Sequence, residues 1–311
     1  MTRRLIIDTD TASDDAVALV MAIRHPGVKI EAITVVAGNV PVDQAVQNAL
    51  YTVELCGEAI PVYRGMPAPL NRPLETAQYV HGYDGMGDIG LPLHGRQAAT
   101  GEATEVLIET IFRFPGDITL VTLGPLTNIA SALGQAPSIA KSVRECVIMG
   151  GTGHGHGNMT PVGEYNFWAD PEAAKIVFES GMPIKMVGWD ISRTYAVCDP
   201  IDTEELRAIG TPLATFCVDI QVTVAQYAMS QSKLPGFDLP DPIAMAIALE
   251  PEVATATKSL FVAIEAQSDL CRGQSVVDHY GILDREPNAE VVLEASREKF
   301  WNMLCDAVRK T

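Results

Sequence analysis

Short β-branched and aliphatic runs alternate with stretches of helical periodicity almost from end to end of the chain, and few architectures satisfy that pattern. Parallel strands need long crossovers, and a helix between successive strands supplies them. Strands are predicted at residues 5–9, 30–37, 118–123, 143–149 and 184–187, with helices at 14–25, 41–55, 126–133 and 171–180. The later part predicts a long helix over 212–232, a Pro-rich turn at 234–242 and a short apolar helix through Leu249. Strands near 260–264 and 290–293 and a closing helix over 296–309 follow. Two stretches break the alternation: residues 64–100, rich in Gly and Pro, and the Gly-rich loop at 150–165. Loops this long in compact proteins are usually functional. With no internal repeat or linker, the 311 residues read as one α/β domain spanning 1–311, a mostly parallel, Rossmann-like sheet flanked by helices.

Charge and hydropathy narrow the partners. The chain carries 39 acidic against 22 basic side chains, a net charge of −17, and no basic run that could neutralise a phosphate backbone. A nucleic-acid polymer is therefore excluded as an expected partner. The longest apolar runs, 16–23 and 243–249, are too short for a membrane span. Met-Thr-Arg-Arg followed by three apolar residues offers no secretory h-region, and the six cysteines show no Cys-x-x-Cys spacing. The expectation is a cytoplasmic protein with reduced, mostly buried thiols.

Four carboxylates, Asp8, Asp10, Asp14 and Asp15, crowd the carboxyl end of the first predicted strand, the edge where open α/β sheets bind ligands. Helix capping by Ser13 or Asp14 accounts for one or two of them. It leaves Asp8 and Asp10 repelling their neighbours unless a hard divalent cation such as Ca²⁺ or Mg²⁺ sits among them. The Asp-x-Asp also resembles the aspartyl-nucleophile loop of haloacid-dehalogenase-type phosphatases. A Mg²⁺-dependent phosphatase with Asp8 as nucleophile is therefore one alternative. Against it, Ala12 stands where that loop wants Thr or Val, the Asp14-Asp15 pair is foreign to it, and no partner lysine motif follows. A further acid, Asp241, lies between Pro240 and Pro242 ahead of an apolar helix, where an N-cap role is the bland explanation. In the loop after the 143–149 strand, Asn158, Glu164, Tyr165 and Asn166 offer groups suited to sugar hydroxyls, although Gly, Asn and Thr are ordinary loop formers.

Taken together these segments resemble the inosine-uridine nucleoside hydrolase family, metal-dependent enzymes that cleave the N-glycosidic bond of ribonucleosides. The resemblance covers nearly the whole chain. It rests on Asp8-Thr9-Asp10 with Asp14-Asp15, on Val36-Ala37-Gly38-Asn39-Val40 and on Leu123-Gly124-Pro125-Leu126-Thr127-Asn128. Met149-Gly150-Gly151, Glu164-Tyr165-Asn166, Asp170-Pro171-Glu172-Ala173 and Asp241-Pro242 complete it. It implies the nucleoside hydrolase fold, with Ca²⁺ held by Asp10, Asp15, Asp241 and the Leu123 carbonyl. It places Asp14 and Asn39 on ribose hydroxyls beside the metal, and Asn158, Glu164 and Asn166 on the far side of the sugar. Asp8 would orient the ligand loop, and Thr127 and Asn128 read as structural. The implied substrate is a small ribonucleoside, and the family's habit implies a homo-oligomer, dimer or tetramer. Ribosidic hydrolysis passes through an oxocarbenium-like transition state. The implied chemistry is attack by a metal-activated water, with Asp10 as the general base.

One position departs from the resemblance. The best-known branch of the family places a proton-donating His immediately before the last metal-binding Asp, and here that residue is Pro240. A second branch stacks aromatic residues on the base instead, a part open to Tyr165, Trp168, Tyr83 or Tyr227. His81, in a His-Gly loop resembling one that borders the family's base pocket, is the first candidate acid, although a lone loop His is more often merely solvated. His154 and His156 lie in the Gly-rich loop, where a lid role is open. Loss of the proton donor also admits a catalytically silent ribose- or nucleoside-binding protein.

Overall fold

The computed structural model describes residues 2–309. Its centre is an eight-stranded sheet in the order Val62–Arg64, Val28–Val35, Arg3–Thr9, Ile118–Thr122, Glu145–Met149, Ile184–Val187, Ala289–Ala295 and Ala254–Leu260. Neighbouring strands are parallel except for the last pair, which is antiparallel. Strand order therefore runs outward in both directions from Arg3–Thr9, and the point of reversal lies between that strand and Ile118–Thr122. In such sheets a crevice opens there, beyond the carboxyl ends of the strands.

Both sheet faces are buried. Alternation in the first strand sends Leu5 and Ile7 to one face and Ile6 to the other, each into a separate apolar cluster. Helices Ser13–Arg24, Pro240–Leu249 and Arg297–Arg309 cover the first face, and Thr127–Gln135 and Pro171–Glu179 the second. No helix among the described residues is long and apolar enough to cross a membrane.

Two predicted elements are divided differently in the structure, which also holds elements the sequence reading left out, among them strand Val62–Arg64 and helices Ala103–Arg113, Trp189–Tyr195 and Pro200–Ala208. The helix expected over 212–232 is broken into Pro212–Asp219, Val222–Tyr227 and a π-helical turn, Ala228–Ser232, which ends at Lys233 with φ 51°. The break falls within a β-branched run, Val218 to Val224, of weak helix propensity. There Gln221 ties itself to Ser13, donating to its carbonyl at 2.9 Å and accepting from its hydroxyl at 3.0 Å. The strand expected near 260–264 is two strands: Ala254–Leu260 at the sheet edge and Val262–Ile264 in a hairpin with Ser275–Val277. Within the irregular 64–100 stretch a short helix, Gln78–His81, carries His81 to the site.

Candidate active site

The first strand delivers its acids to the crevice, and neighbouring strands fix them. Asp8 is fully enclosed, its Oδ2 accepting from Thr34 Oγ1 at 2.6 Å and Asn128 Nδ2 at 2.8 Å. Burial pushes its carboxyl up to about 7. Its bonds tie Asp8 to the neighbouring strand and helix, and it does not line the cleft, which argues against it as the nucleophile of a phosphatase. Asn128 also accepts the Met66 N–H at 2.8 Å, and Thr127 donates to Asp170 at 2.7 Å, so both are structural.

Asp10 accepts the Asn39 N–H at 2.6 Å through Oδ2, while its Oδ1 is buried without a partner. It lies in a cradle only glycine permits, since a Cβ on Gly124 would stand 2.7 Å from that Oδ1 and one on Gly38 would collide with Oδ2. Asp15 sits at the third position of helix Ser13–Arg24, accepting from the N-cap Ala12 N–H at 2.9 Å and from Thr9 Oγ1 at 2.5 Å. The cap residue is thus Ala12, not the Ser13 or Asp14 that capping chemistry suggested. Asp241, at the start of helix Pro240–Leu249, makes no side-chain capping bond, so capping does not explain it.

Asp14, Asp15 and Asp241, all buried, each offer an oxygen within 4.8 Å of the others. Asp10 stands beside this trio rather than in it, and Asp14, expected on the sugar, belongs to it. Burial and the charge of Asp14 raise the Asp15 carboxyl to about 7. Burial, then neighbouring carboxylates, hold Asp10 and Asp241 well above the usual carboxylate range. No lysine or arginine is among the leading causes of the three shifts. Buried acids without a close counter-charge are costly; Oδ1 of Asp8, Asp10 and Asp14 are all unpartnered, and those of Asp10 and Asp14, next to Asp15 and Asp241, leave hard oxygen donors free. This donor set fits a hard divalent cation.

Above the carboxylates opens a cleft of about 610 Å³, in the range of small-molecule sites. Asp14, Asn39, Leu123, Asn158, Glu164 and Asn166 line it. Glu164 caps helix Tyr165–Ala169, accepting from the N–H groups of Asn166 at 2.9 Å and Gly151 at 2.8 Å, and burial raises its carboxyl to about 7. That capping role was not foreseen; it fixes the carboxylate at the cleft wall. Asn166 Nδ2 donates to the Leu123 carbonyl at 2.7 Å, which leaves that oxygen one lone pair for another partner.

Tyr79, His81, Trp189, Arg193, Tyr227 and Pro240 also line the cleft. Tyr165 also lines the cleft, its hydroxyl donating to the Glu75 carbonyl at 2.9 Å, and Tyr227 packs edge-on to Tyr79 at 5.7 Å. Two expected aromatics do not join them. Trp168 is absent from the lining and carries the Arg272 guanidinium on its ring at 4.0 Å, while Tyr83 points to solvent at 81% exposure. His81 is buried, Nδ1 3.0 Å from Ser13 Oγ and 3.7 Å from Asp14. The Ser13 hydroxyl spends its one hydrogen on Gln221, so His81 donates from Nδ1 and keeps a bare Nε2. Burial lowers its basicity further. Ser13 and Gln221 are site residues that sequence reasoning missed, for nothing local marks a contact 208 residues apart. His156 lines the cleft, while His154 stacks on His279 at 4.8 Å, away from it.

Fold and site together define a doubly wound α/β protein with a buried carboxylate cluster beneath a small-molecule-sized cleft at the sheet's switch point. The model of the inosine-uridine preferring nucleoside hydrolase family matches residues 5–302, and the chain belongs to that enzyme family. Among its relatives is the pyrimidine-specific ribonucleoside hydrolase RihB of Escherichia coli (strain SE11), 36% identical over 308 residues, covering 99% of this chain and 97% of the relative. A plant nucleoside hydrolase, PpNRh1, superposes with a TM-score of 0.92 at 31% identity over the whole of both chains. The purine-preferring ribonucleoside hydrolase from Gardnerella vaginalis does so at 0.91 and 30% identity, over 99% of this chain and 98% of that one.

Proposed function

We propose that the protein is a Ca²⁺-dependent ribonucleoside hydrolase that splits the N-glycosidic bond into ribose and free base. The observation that carries this reading is the cluster of buried carboxylates beneath the cleft, whose shifts are driven by burial and by one another, with no basic side chain among their leading causes. Asp10, Asp15 and Asp241, with the Leu123 carbonyl, would hold the cation, and Asp14 is placed to join them. Bound there, a divalent cation neutralises the acids and lowers the pKa of water. Asp10 takes the proton from the attacking water. The carboxylates stabilise positive charge growing on the ribose, while Asn39, Asn158, Glu164 and Asn166 fix the sugar.

The decisive experiment incubates the protein with inosine, uridine, adenosine and p-nitrophenyl riboside, with and without chelator. Chelator-sensitive release of base supports the reading. Absence of cleavage of every riboside in saturating Ca²⁺ overturns it. Because Pro240 has no proton to give, a binder without natural turnover is the second reading; it expects nitrophenol release and no release of any natural base.

A further inference from the structure

Pro240 leaves the departure of the base without a proton donor at that position, and the same cleft carries a charge suited to the task. Arg193 sits on helix Trp189–Tyr195, its guanidinium carbon 5.0 Å from the centre of the Trp189 ring. Its Nη1 is enclosed by protein yet has no hydrogen-bond partner. Asp238, the acid whose carboxyl feels its charge, is already engaged by Ser192 Oγ at 2.7 Å. A buried N–H of a permanent cation, left unsatisfied on a residue that lines a ligand cleft, calls for an acceptor. Trp189, Arg193 and Pro240 line the same cleft as Asp14, Asn39, Glu164 and Asn166, and Asp238, whose carboxyl feels the Arg193 charge, lies two residues before Pro240.

We infer that Arg193 is a leaving-group contact: its Nη1 donates a hydrogen bond to the carbonyl oxygen beside the departing ring nitrogen of a pyrimidine and stabilises the base as an anion. As the C1′–N bond breaks, its electron pair goes to the base and spreads from the ring nitrogen onto that oxygen. The water oxygen bonds to C1′, a carboxylate of the cluster takes the water's proton, and solvent later returns one proton to the base. Arginine suits this duty because it stays charged and need not give up its proton. Stacking on Trp189 restrains the guanidinium plane, so little reorganisation accompanies the charge shift. A purine has no carbonyl beside its glycosidic nitrogen, so the contact favours pyrimidines. This inference rests on the ribonucleoside-hydrolase reading.

The test compares wild type, Arg193→Ala and Arg193→Lys on uridine and on p-nitrophenyl riboside, whose nitrophenolate leaves readily without help. Melting curves accompany each variant, with Arg193→Gln as a second neutral variant if alanine unfolds the helix. Expected is a fall in kcat on uridine of about 10²- to 10³-fold, the usual loss for one such donor, with less than about tenfold on the nitrophenyl riboside. Lysine should restore part of the loss. Equal losses on both substrates, a loss confined to KM, or unchanged uridine turnover would overturn the inference. Wild-type protein that cleaves neither riboside would instead remove the hydrolase reading, and the inference with it.

Discussion

Replacing Asp241 by Asn should stabilise the metal-free protein while abolishing its response to Ca²⁺. Burial and Asp14 hold the Asp15 carboxyl at about 7, against 3.8 for a free one. At about 1.4 kcal/mol for each pH unit between these values, ionising it in the folded chain costs about 4 kcal/mol. Asp8 carries a similar burden, and Asp241 is raised by Asp15, Asp14 and Asp10 on top of burial. Because these folded-state values exceed the unfolded one, the native protein binds more protons between about pH 4 and 7. Chelated wild type should therefore lose stability as pH rises through that window, opposite to a protein whose carboxylates are salt-bridged. Removing the Asp241 charge should recover about 2–4 kcal/mol at pH 8, roughly 3–6 °C in Tm for a chain of this size. With Ca²⁺ at a hundredfold over Kd, wild type alone should gain about 2.7 kcal/mol. The assay is thermal melting of both proteins at pH 5, 6.5 and 8, in chelator and in Ca²⁺. A chelated Asp241→Asn variant less stable than wild type at pH 8, or chelated wild type that grows more stable with rising pH, would refute the reasoning.

Other perturbations separate the roles of neighbouring groups. Asp10→Asn should keep the fold, checked by circular dichroism, and lower kcat on ribonucleosides by several orders of magnitude, since it removes a cluster charge and the proposed base; near-normal turnover would sink that role. Gly124→Ala puts a methyl group 2.7 Å from Asp10 Oδ1, so it should cost about 1–3 kcal/mol in a melt and weaken Ca²⁺ binding measured by calorimetry. His81→Ala should slow uridine and the nitrophenyl riboside alike, because a neutral imidazole donating from Nδ1 to Ser13 positions the loop; a loss confined to uridine would make His81 the acid.

What the sequence reveals of this site depends on how far apart its parts lie along the chain. The crowding of Asp8, Asp10, Asp14 and Asp15 is legible because four acids in eight residues have no local explanation, and the strand before them fixes their place at the sheet edge. The central strands are legible too, since burial on both faces makes each a short apolar run. Legibility fails where long-range contacts override local pattern. The break between Pro212–Asp219 and Val222–Tyr227 places Gln221 at Ser13, and through Ser13 it sets which nitrogen of His81 carries the proton. A periodicity argument reads residues 212–232 as one amphipathic helix, because a side chain leaving the helix to bond a residue 208 positions away has no local signature. Trp168 fails for the opposite reason: its proximity to Tyr165 in sequence suggests a shared aromatic wall, but Arg272, from a distant loop, occupies its face. Arg193 escapes notice because one arginine in an amphipathic helix resembles a solvated charge; only the enclosure of Nη1 within the cleft wall distinguishes it. The crowded carboxylates of the proposed cation site can thus be found from local composition, whereas the rest of the cleft lining is set by tertiary packing, and on the proposed reading it is this second group that decides which nucleoside is cleaved.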